Sequence, residues 1–274
     1  MPTVRVVGPG RAGSSLADAL AARGWEVVAP VRRHEDPSGA AYGVDLCVIA
    51  TPDAAIAATA AAVAPQPTTV VAHLAGSLGA EVLTPHPRRA AIHPLATLPD
   101  RVTGAATLLA GCWWAVEGDE VGAQVVADLD GRVLVLPADP AIRATYHAAA
   151  CIAANHLVAL MAQLERVTAS AGLPVEPFYG LAAAALANAR TAGAAAALTG
   201  PAARGDRVTV ERHLAALSAG ERQLYLSLAS AAASLAGAEP ASGPAAHGER
   251  PDGERPDGEQ PARRPVTVGV AACR

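Results

Sequence analysis

The chain contains no lysine: every one of the 21 basic residues among its 274 is an arginine. A mechanism that needs a lysine acid, base or Schiff base is therefore excluded. The wealth of alanine, arginine and glycine points to coding bias as the origin of this absence. Aromatic residues are also scarce, at 3% of a chain that is 51% hydrophobic. Alanine fills the apolar quota, which favours closely packed helices over large aromatic interfaces. Four cysteines, Cys47, Cys112, Cys151 and Cys273, show neither C-x-x-C spacing nor a partnering histidine pattern. No metal site is expected, and buried reduced thiols fit the cytosol. A net charge of −4 argues against nucleic acid or an anionic membrane as partner. The apolar runs are short and interrupted, so no membrane span is expected. The first strand begins almost at Met1 and leaves no room for a signal peptide, so a cytoplasmic protein is expected.

What is present begins within the first dozen residues. Val4–Val7 reads as a strand that runs into Gly8-Pro9-Gly10-Arg11-Ala12-Gly13, a G-x-G-x-x-G turn. Gly8 permits the tight turn, Gly10 lets a pyrophosphate approach the backbone, and Gly13 lets the next helix pack on the strand. The helix, Ser14–Arg23, offers its N–H groups and positive end to phosphates. Its apolar face is Leu16, Ala17 and Leu20, and Gly24 closes it. A second strand, Trp25–Val31, ends in Arg32-Arg33 rather than in a carboxylate. An acid about 20 residues past the glycines suits the ribose 2′-hydroxyl of NAD, whereas guanidinium groups grip a 2′-phosphate. NADP(H) is the expected cofactor.

Strands continue at Asp45–Ala50, Thr69–Leu74, Ala90–Ile92, Cys112–Val116 and Arg132–Leu136, with helices at 54–64 and 119–129. The alternation predicts an α/β Rossmann domain with a mostly parallel sheet over residues 1–138. Residues 139–236 predict an all-α domain. It opens with one long helix, Pro140–Ala171, followed by helices at 176–197 (with Gly180 and Gly193 as weak points), from Asp206 or Thr209 to Leu217, and at 221–235. From 237 to 274 a Pro/Gly/charge mixture with tandem GERPD cannot bury enough surface to fold, and predicts a disordered tail.

Ligands of such sheets bind at the carboxyl ends of the strands. There lie Thr51, Pro52 and Asp53, expected at the cofactor, and Ser77 and His93, expected at the substrate. His93 has an alternative as a histidine that only hydrogen-bonds its loop. On the long helix His147, Cys151 and Asn155 follow at successive i+4 steps on one ridge. Asn155, among apolar neighbours, needs a polar partner: substrate, or the next helix that it would brace. The loop LTGPAARGD supplies Thr199, Arg204 and Asp206. Arg204 suits a substrate carboxylate, and the alternative is a helix connector with a surface ion pair.

Taken together, VVGPGRAGSSL, DLCVIATPD, HLAGSL, AIHPLATL, ANHLVAL and LTGPAARGD with TVERHLAAL resemble the Rossmann-like DUF2520 family over residues 1–236. That family is similar to 6-phosphogluconate-dehydrogenase-like and pyrroline-5-carboxylate-reductase-like enzymes. The resemblance implies a homodimer built through the helical domain, and some members look like an alternative ketopantoate reductase, which makes pantoate for pantothenate synthesis. Common ketopantoate reductases use a lysine acid, which this chain lacks. His147, or a water held by His93, is the best available donor to a nascent alkoxide, with Asn155 and Ser77 polarising the carbonyl. Reduction of a small 2-oxo acid is the first expectation. Reduction of a cyclic imine, and a non-catalytic NADP(H) sensor, are the alternatives.

Overall fold

The computed structural model describes residues 1–238. They divide into two compact units, one of Met1–Asn155 and one that begins at His156. Of the expected tail, residues 239–274 lie outside the described residues.

The first unit is built on seven strands: β1 (Thr3–Val7), β2 (Glu26–Val27), β3 (Leu46–Ile49), β4 (Val70–His73), β5 (Arg89–Pro94), β6 (Trp113–Gly118) and β7 (Arg132–Val135). Their order in the sheet is β2-β1-β3-β4-β5-β6-β7. Every pair is parallel except β5–β6, where Ile92 faces Val116 in an antiparallel ladder. The chain leaves β1 to one side to form β2 and returns on the other side as β3. The topological switch point, where such sheets bind ligands, thus lies between the carboxyl ends of β1 and β3.

Both faces of the sheet are covered, and β3 shows why its sequence is continuously apolar. Leu46 and Val48 enter a core with Leu16, Leu20, Leu108 and Trp114. Cys47 and Ile49, one residue out of phase, enter a second core with Ile56, Ala60 and Leu83. Alternate side chains therefore feed opposite cores, as a strand buried on both faces requires. Burial pushes the Cys47 thiol up to about 12, so it stays an inert protonated thiol.

The helices of this unit are α1 (Arg11–Ala22), α2 (Asp53–Ala62), α3 (Arg101–Leu109), α4 (Val121–Asp128) and α5 (Pro140–Cys151). The β2 ladder is much shorter than the expected strand Trp25–Val31. Pro30 has no N–H to give, and pairing resumes only as an isolated bridge between Val31 and Val7. Helix α3 has no counterpart among the sequence expectations. Asp100 caps it by accepting from the N–H groups of Val102 and Thr103, both at 2.9 Å. Its internal Gly104, a helix-weakening residue in sequence, is a packing device: a Cβ there would stand 2.2 Å from Ser15 Oγ of α1.

Asp139 and Pro140 start α5 with a cap and an N-terminal proline. The expected long helix does form, but a π-helical turn, Ile152–His156, joins α5 to α6 (Leu157–Ser170). The boundary between the two compact units falls inside this turn. The whole helix, Pro140–Ser170, has an 18-residue window of mean hydropathy 1.3, and by length and composition it is apolar enough to cross a membrane.

The second unit continues with α7 (Glu176–Ala192), α8 (Ala194–Ala197), α9 (Arg207–Ala216) and α10 (Ala219–Leu235). Gly193, at φ 85°, ends α7 where the sequence showed a weak point. Gln163 Nε2 donates to Glu221 O at 2.9 Å, and Arg166 pairs with the Glu221 carboxylate, tying α6 to α10.

Candidate functional site

The glycine turn of β1 and α1 is built as its spacing requires. Gly8 sits at φ 85°, where L side chains are strained, and its N–H donates to Val31 O at 2.9 Å. A Cβ on Gly13 would lie 2.8 Å from both Gly8 O and Val6 Cγ1, so only glycine lets α1 approach the sheet. Gly10 is the opposite case: a Cβ there would meet nothing within 4 Å. The first acts in packing, whereas the second keeps backbone open to an incoming group. No side chain caps α1, so its first N–H groups are left to a ligand.

Thr51 follows β3 across the switch point. Its Cγ2 stands 3.1 Å from where a Cβ on Gly8 would be, and its buried Oγ1 has no hydrogen-bond partner. Pro52 precedes α2, and Asp53 in its first turn accepts from Ser77 Oγ at 2.6 Å. Arg32 and Arg33 are exposed just beyond the Val31 bridge, and Glu35 Oε2 accepts from the Arg32 N–H at 2.7 Å. Open backbone at Gly10, an orphaned hydroxyl at Thr51 and two exposed guanidinium groups fit a phosphate-bearing dinucleotide.

Beside this turn lies a cleft of about 680 Å³, lined by Arg11, the segment His93–Pro99, and His147, Cys151 and Asn155. The ridge expected from i+4 spacing is thus real, and it faces the end of β5. The π turn lies within it, and Asn155, in that turn, remains on the cleft wall. His93 Nδ1 is 2.6 Å from the Tyr146 hydroxyl. The rings of Tyr146 and His147 stand edge-on to His93, at centroid distances of 5.7 and 5.9 Å. His147 Nε2 is 3.7 Å from Cys151 Sγ, while its buried Nδ1 has no partner.

Gly76 makes this cluster possible. A Cβ on it would stand 2.5 Å from His147 Nδ1 and 2.9 Å from His93 Nε2. Gly76 and Tyr146 are the two members of the cluster that sequence reasoning did not single out. A tyrosine beside His147 in a chain with four tyrosines was the available signal.

Burial, and then the neighbouring His147 and Arg143, hold His93 down to about 4, so the imidazole is neutral at neutral pH. Burial raises the Tyr146 hydroxyl well above the usual phenol range, and it keeps its proton. His73, also lowered by burial, accepts from the Ala75 N–H at 3.2 Å and donates from Nε2 to Gly79 O at 3.0 Å. It thereby shapes the loop that holds Gly76.

One turn below Tyr146, Arg143 donates to Glu117 Oε2 from Nη2 at 2.5 Å and from Nε at 3.2 Å. Glu117 Oε1 accepts from the Ala80 N–H at 3.0 Å. The pair is only 3% and 10% exposed, and it joins α5, β6 and the loop after β4. Breaking a buried pair of this kind costs about 3–5 kcal/mol. Ser77, next to Gly76 in the chain, lines a separate cleft of about 520 Å³ with Arg143 and Arg89.

Thr199, Arg204 and Asp206 belong to the second unit. Thr199 and Arg204 are exposed. No ion pair joins Arg204 to Asp206 among the described residues; Asp206 instead caps α9, accepting from Thr209 N at 3.0 Å and Thr209 Oγ1 at 2.7 Å. Hydrogen bonds from Thr209 hold its carboxyl below the usual range. No His/Cys/Asp/Glu group able to hold a metal occurs among the described residues.

No curated protein matches the chain in sequence. Among solved structures, a candidate NADP oxidoreductase from Bacteroides fragilis is 19% identical, covers 85% of this chain and 98% of its own, and superposes with a TM-score of 0.72. A Thermotoga maritima protein is 21% identical with the same coverages and a TM-score of 0.63. A reductive aminase from Aspergillus terreus, solved with NADPH, cyclohexanone and allyl amine, is 17% identical, covers 87% of this chain and 88% of its own, and reaches 0.53. At such identities the likeness is one of fold, and it bears out the Rossmann architecture with a helical C-terminal part. Residues 112–232 match the model of a domain of unknown function, DUF2520, the family that the sequence motifs resemble.

Proposed function

We propose that the protein is an NADPH-dependent reductase of a small 2-oxo acid, with ketopantoate to pantoate as the leading reaction. The observation that carries this reading is the position of the glycine turn, open at Gly10, beside a cleft that gathers His93, His147 and Asn155. The cofactor would lie on Gly8 to Gly13, with Thr51, Pro52 and Asp53 along its path and Arg32 and Arg33 at the 2′-phosphate. When bound, it supplies a hydride to the carbonyl carbon.

This chain's own groups then manage charge and protons. Asn155 offers its amide to the carbonyl oxygen, and His147 supplies the proton that lysine supplies in related chemistry. Ser77, which gives its hydroxyl to Asp53, braces the ends of β3 and β4. In the second unit Asp206 caps α9 and holds the loop that carries Thr199 and Arg204.

An imine reductase is the second reading. It is favoured by the fold likeness to a reductive aminase and by chemistry, since an iminium substrate needs no proton donor. NADPH absorbance followed against a panel of 2-oxo acids and cyclic imines decides between them. Turnover of ketopantoate supports the first reading and turnover of imines alone the second. Tight NADPH binding without turnover would leave a cofactor-binding sensor. Arg32→Ala with Arg33→Ala is expected to weaken NADPH ~10–100-fold and leave NADH nearly unchanged.

We further propose a homodimer through the helical unit. Helix α7 buries none of its 17 residues, and Leu181 and Leu186 on it are 67% and 62% exposed. On α6 Val158 is 65% exposed. Such apolar faces support a second copy of the chain as their occupant. The cytoplasm is the proposed location.

A further inference from the structure

Among the described residues His93 has a hydrogen-bond partner at one ring nitrogen and none at the other. Nδ1 is 2.6 Å from the Tyr146 hydroxyl, and no other partner of that hydroxyl occurs among the described residues. Two arrangements satisfy the distance. If Nδ1 carried the hydrogen, Tyr146 would accept, and its own hydrogen would have no acceptor among the described residues in a partly buried place. If Tyr146 donates, Nδ1 accepts; a phenol hydroxyl is the stronger donor of the two groups and an imidazole nitrogen the stronger acceptor, so this arrangement is favoured and leaves the ring hydrogen to a ligand. The ring hydrogen then sits on Nε2. That nitrogen has its place because residue 76 is glycine, and His93 lines the cleft beside Arg11 and Asn155.

We propose that Tyr146 is a positioning residue: its hydroxyl donates to Nδ1 of His93 and holds the imidazole as the Nε2–H tautomer, which offers an N–H donor to the substrate oxygen. The function assigned to this donor rests on the reductase reading above; the tautomer itself does not. The electrostatics agree with the geometry. His93 touches Tyr146 and His147 on α5; burial first, then the charges on His147, Arg143 on α5 and His73 on β4 keep the ring uncharged near neutral pH, against the opposing charge of Asp53 on α2. A neutral imidazole is the form that polarises a carbonyl by hydrogen bonding without giving up its proton early. The arrangement repeats the one at His73, where a backbone N–H rather than a hydroxyl occupies Nδ1 and Nε2–H is again the donor.

The test uses the full-length protein labelled with ¹⁵N-histidine, with His93→Gln to assign the signal. In the unsubstituted protein His93 is expected to show a protonated Nε2 and a bare, hydrogen-bonded Nδ1 at pH 7. A protonated Nδ1 would overturn the proposal without any variant having to fold. In Tyr146→Phe the tautomer preference is expected to relax toward a mixture. With a reductase substrate in hand, kcat is expected to fall ~10-fold or more while KM stays within about twofold. An unchanged tautomer in a folded Tyr146→Phe protein would overturn the positioning role. The Nε2–H tautomer together with no turnover of any oxo acid or imine would support the role of Tyr146 while removing the reductase reading.

Discussion

At the scale of single residues, two glycines of the same motif do opposite work, and the difference can be measured. Gly13→Ala forces a Cβ to within 2.8 Å of a backbone oxygen, so it is expected to cost ~1–3 kcal/mol of stability in a denaturant titration. Gly10→Ala meets nothing in the protein. It is expected to melt within a degree or two of the parent and to lose NADPH affinity, read by fluorescence titration, because its methyl stands where a phosphate would approach. His93 makes a pH prediction. Its folded value of about 4 lies below the ~6.5 of an unfolded histidine, so between these values the unfolded chain binds the proton and the folded one does not. Stability is therefore full above about pH 6.5 and falls as pH drops toward 4. His93→Gln is expected to flatten this part of the stability profile in urea titrations at stepped pH, and a slope unchanged by the substitution would contradict the burial argument.

At the scale of elements, the functional turn depends on a helix that propensity alone does not advertise. α1 holds the glycine turn and packs on α3 through Ser15 and Gly104. Ser15 Oγ is engaged at 2.7 Å with Arg11 O and has no room to yield. Gly104→Val raises helix propensity little and overpacks the contact. It is expected to destabilise by about 1–3 kcal/mol and to raise the Kd for NADPH, although residue 104 is outside the site. A merely local effect would lower the melting temperature and leave NADPH affinity intact. The π turn is a second example. Its residues, Ile152–His156, read as ordinary helix in sequence, and one extra residue per turn changes which side chains share a face.

For the whole molecule, the proposed dimer accounts for apolar surface that the described chain leaves open. Leu181→Glu with Leu186→Glu is expected to convert a dimer into a monomer in sedimentation velocity, with the helical content unchanged. A parent protein that sediments as a monomer at micromolar concentration would remove the proposal. The same long helix explains why an apolar stretch is not in itself a membrane signal here. Its first half carries Arg143 into a buried ion pair with Glu117 and presents Tyr146 and His147 to the end of β5.

The local grammar of the chain was legible without coordinates wherever a signal is short-range. The glycine turn, the continuous apolar run of β3, the helix start at Pro140 and the break at Gly193 each follow from backbone sterics or from period-two and helical patterning within one segment. The ridge of His147, Cys151 and Asn155 was legible for the same reason. The partners across the fold were not. Sequence spacing does not tell that Tyr146 meets His93, that Gly76 makes room for both histidines, that Arg143 finds Glu117, or that Ser77 turns to Asp53. These pairs join residues far apart along the chain, and their meeting depends on sheet order and on close packing, both of which are properties of the folded whole. Sequence set the lysine-free chemistry and the cofactor turn. Folding chose which groups stand in the cleft beside it.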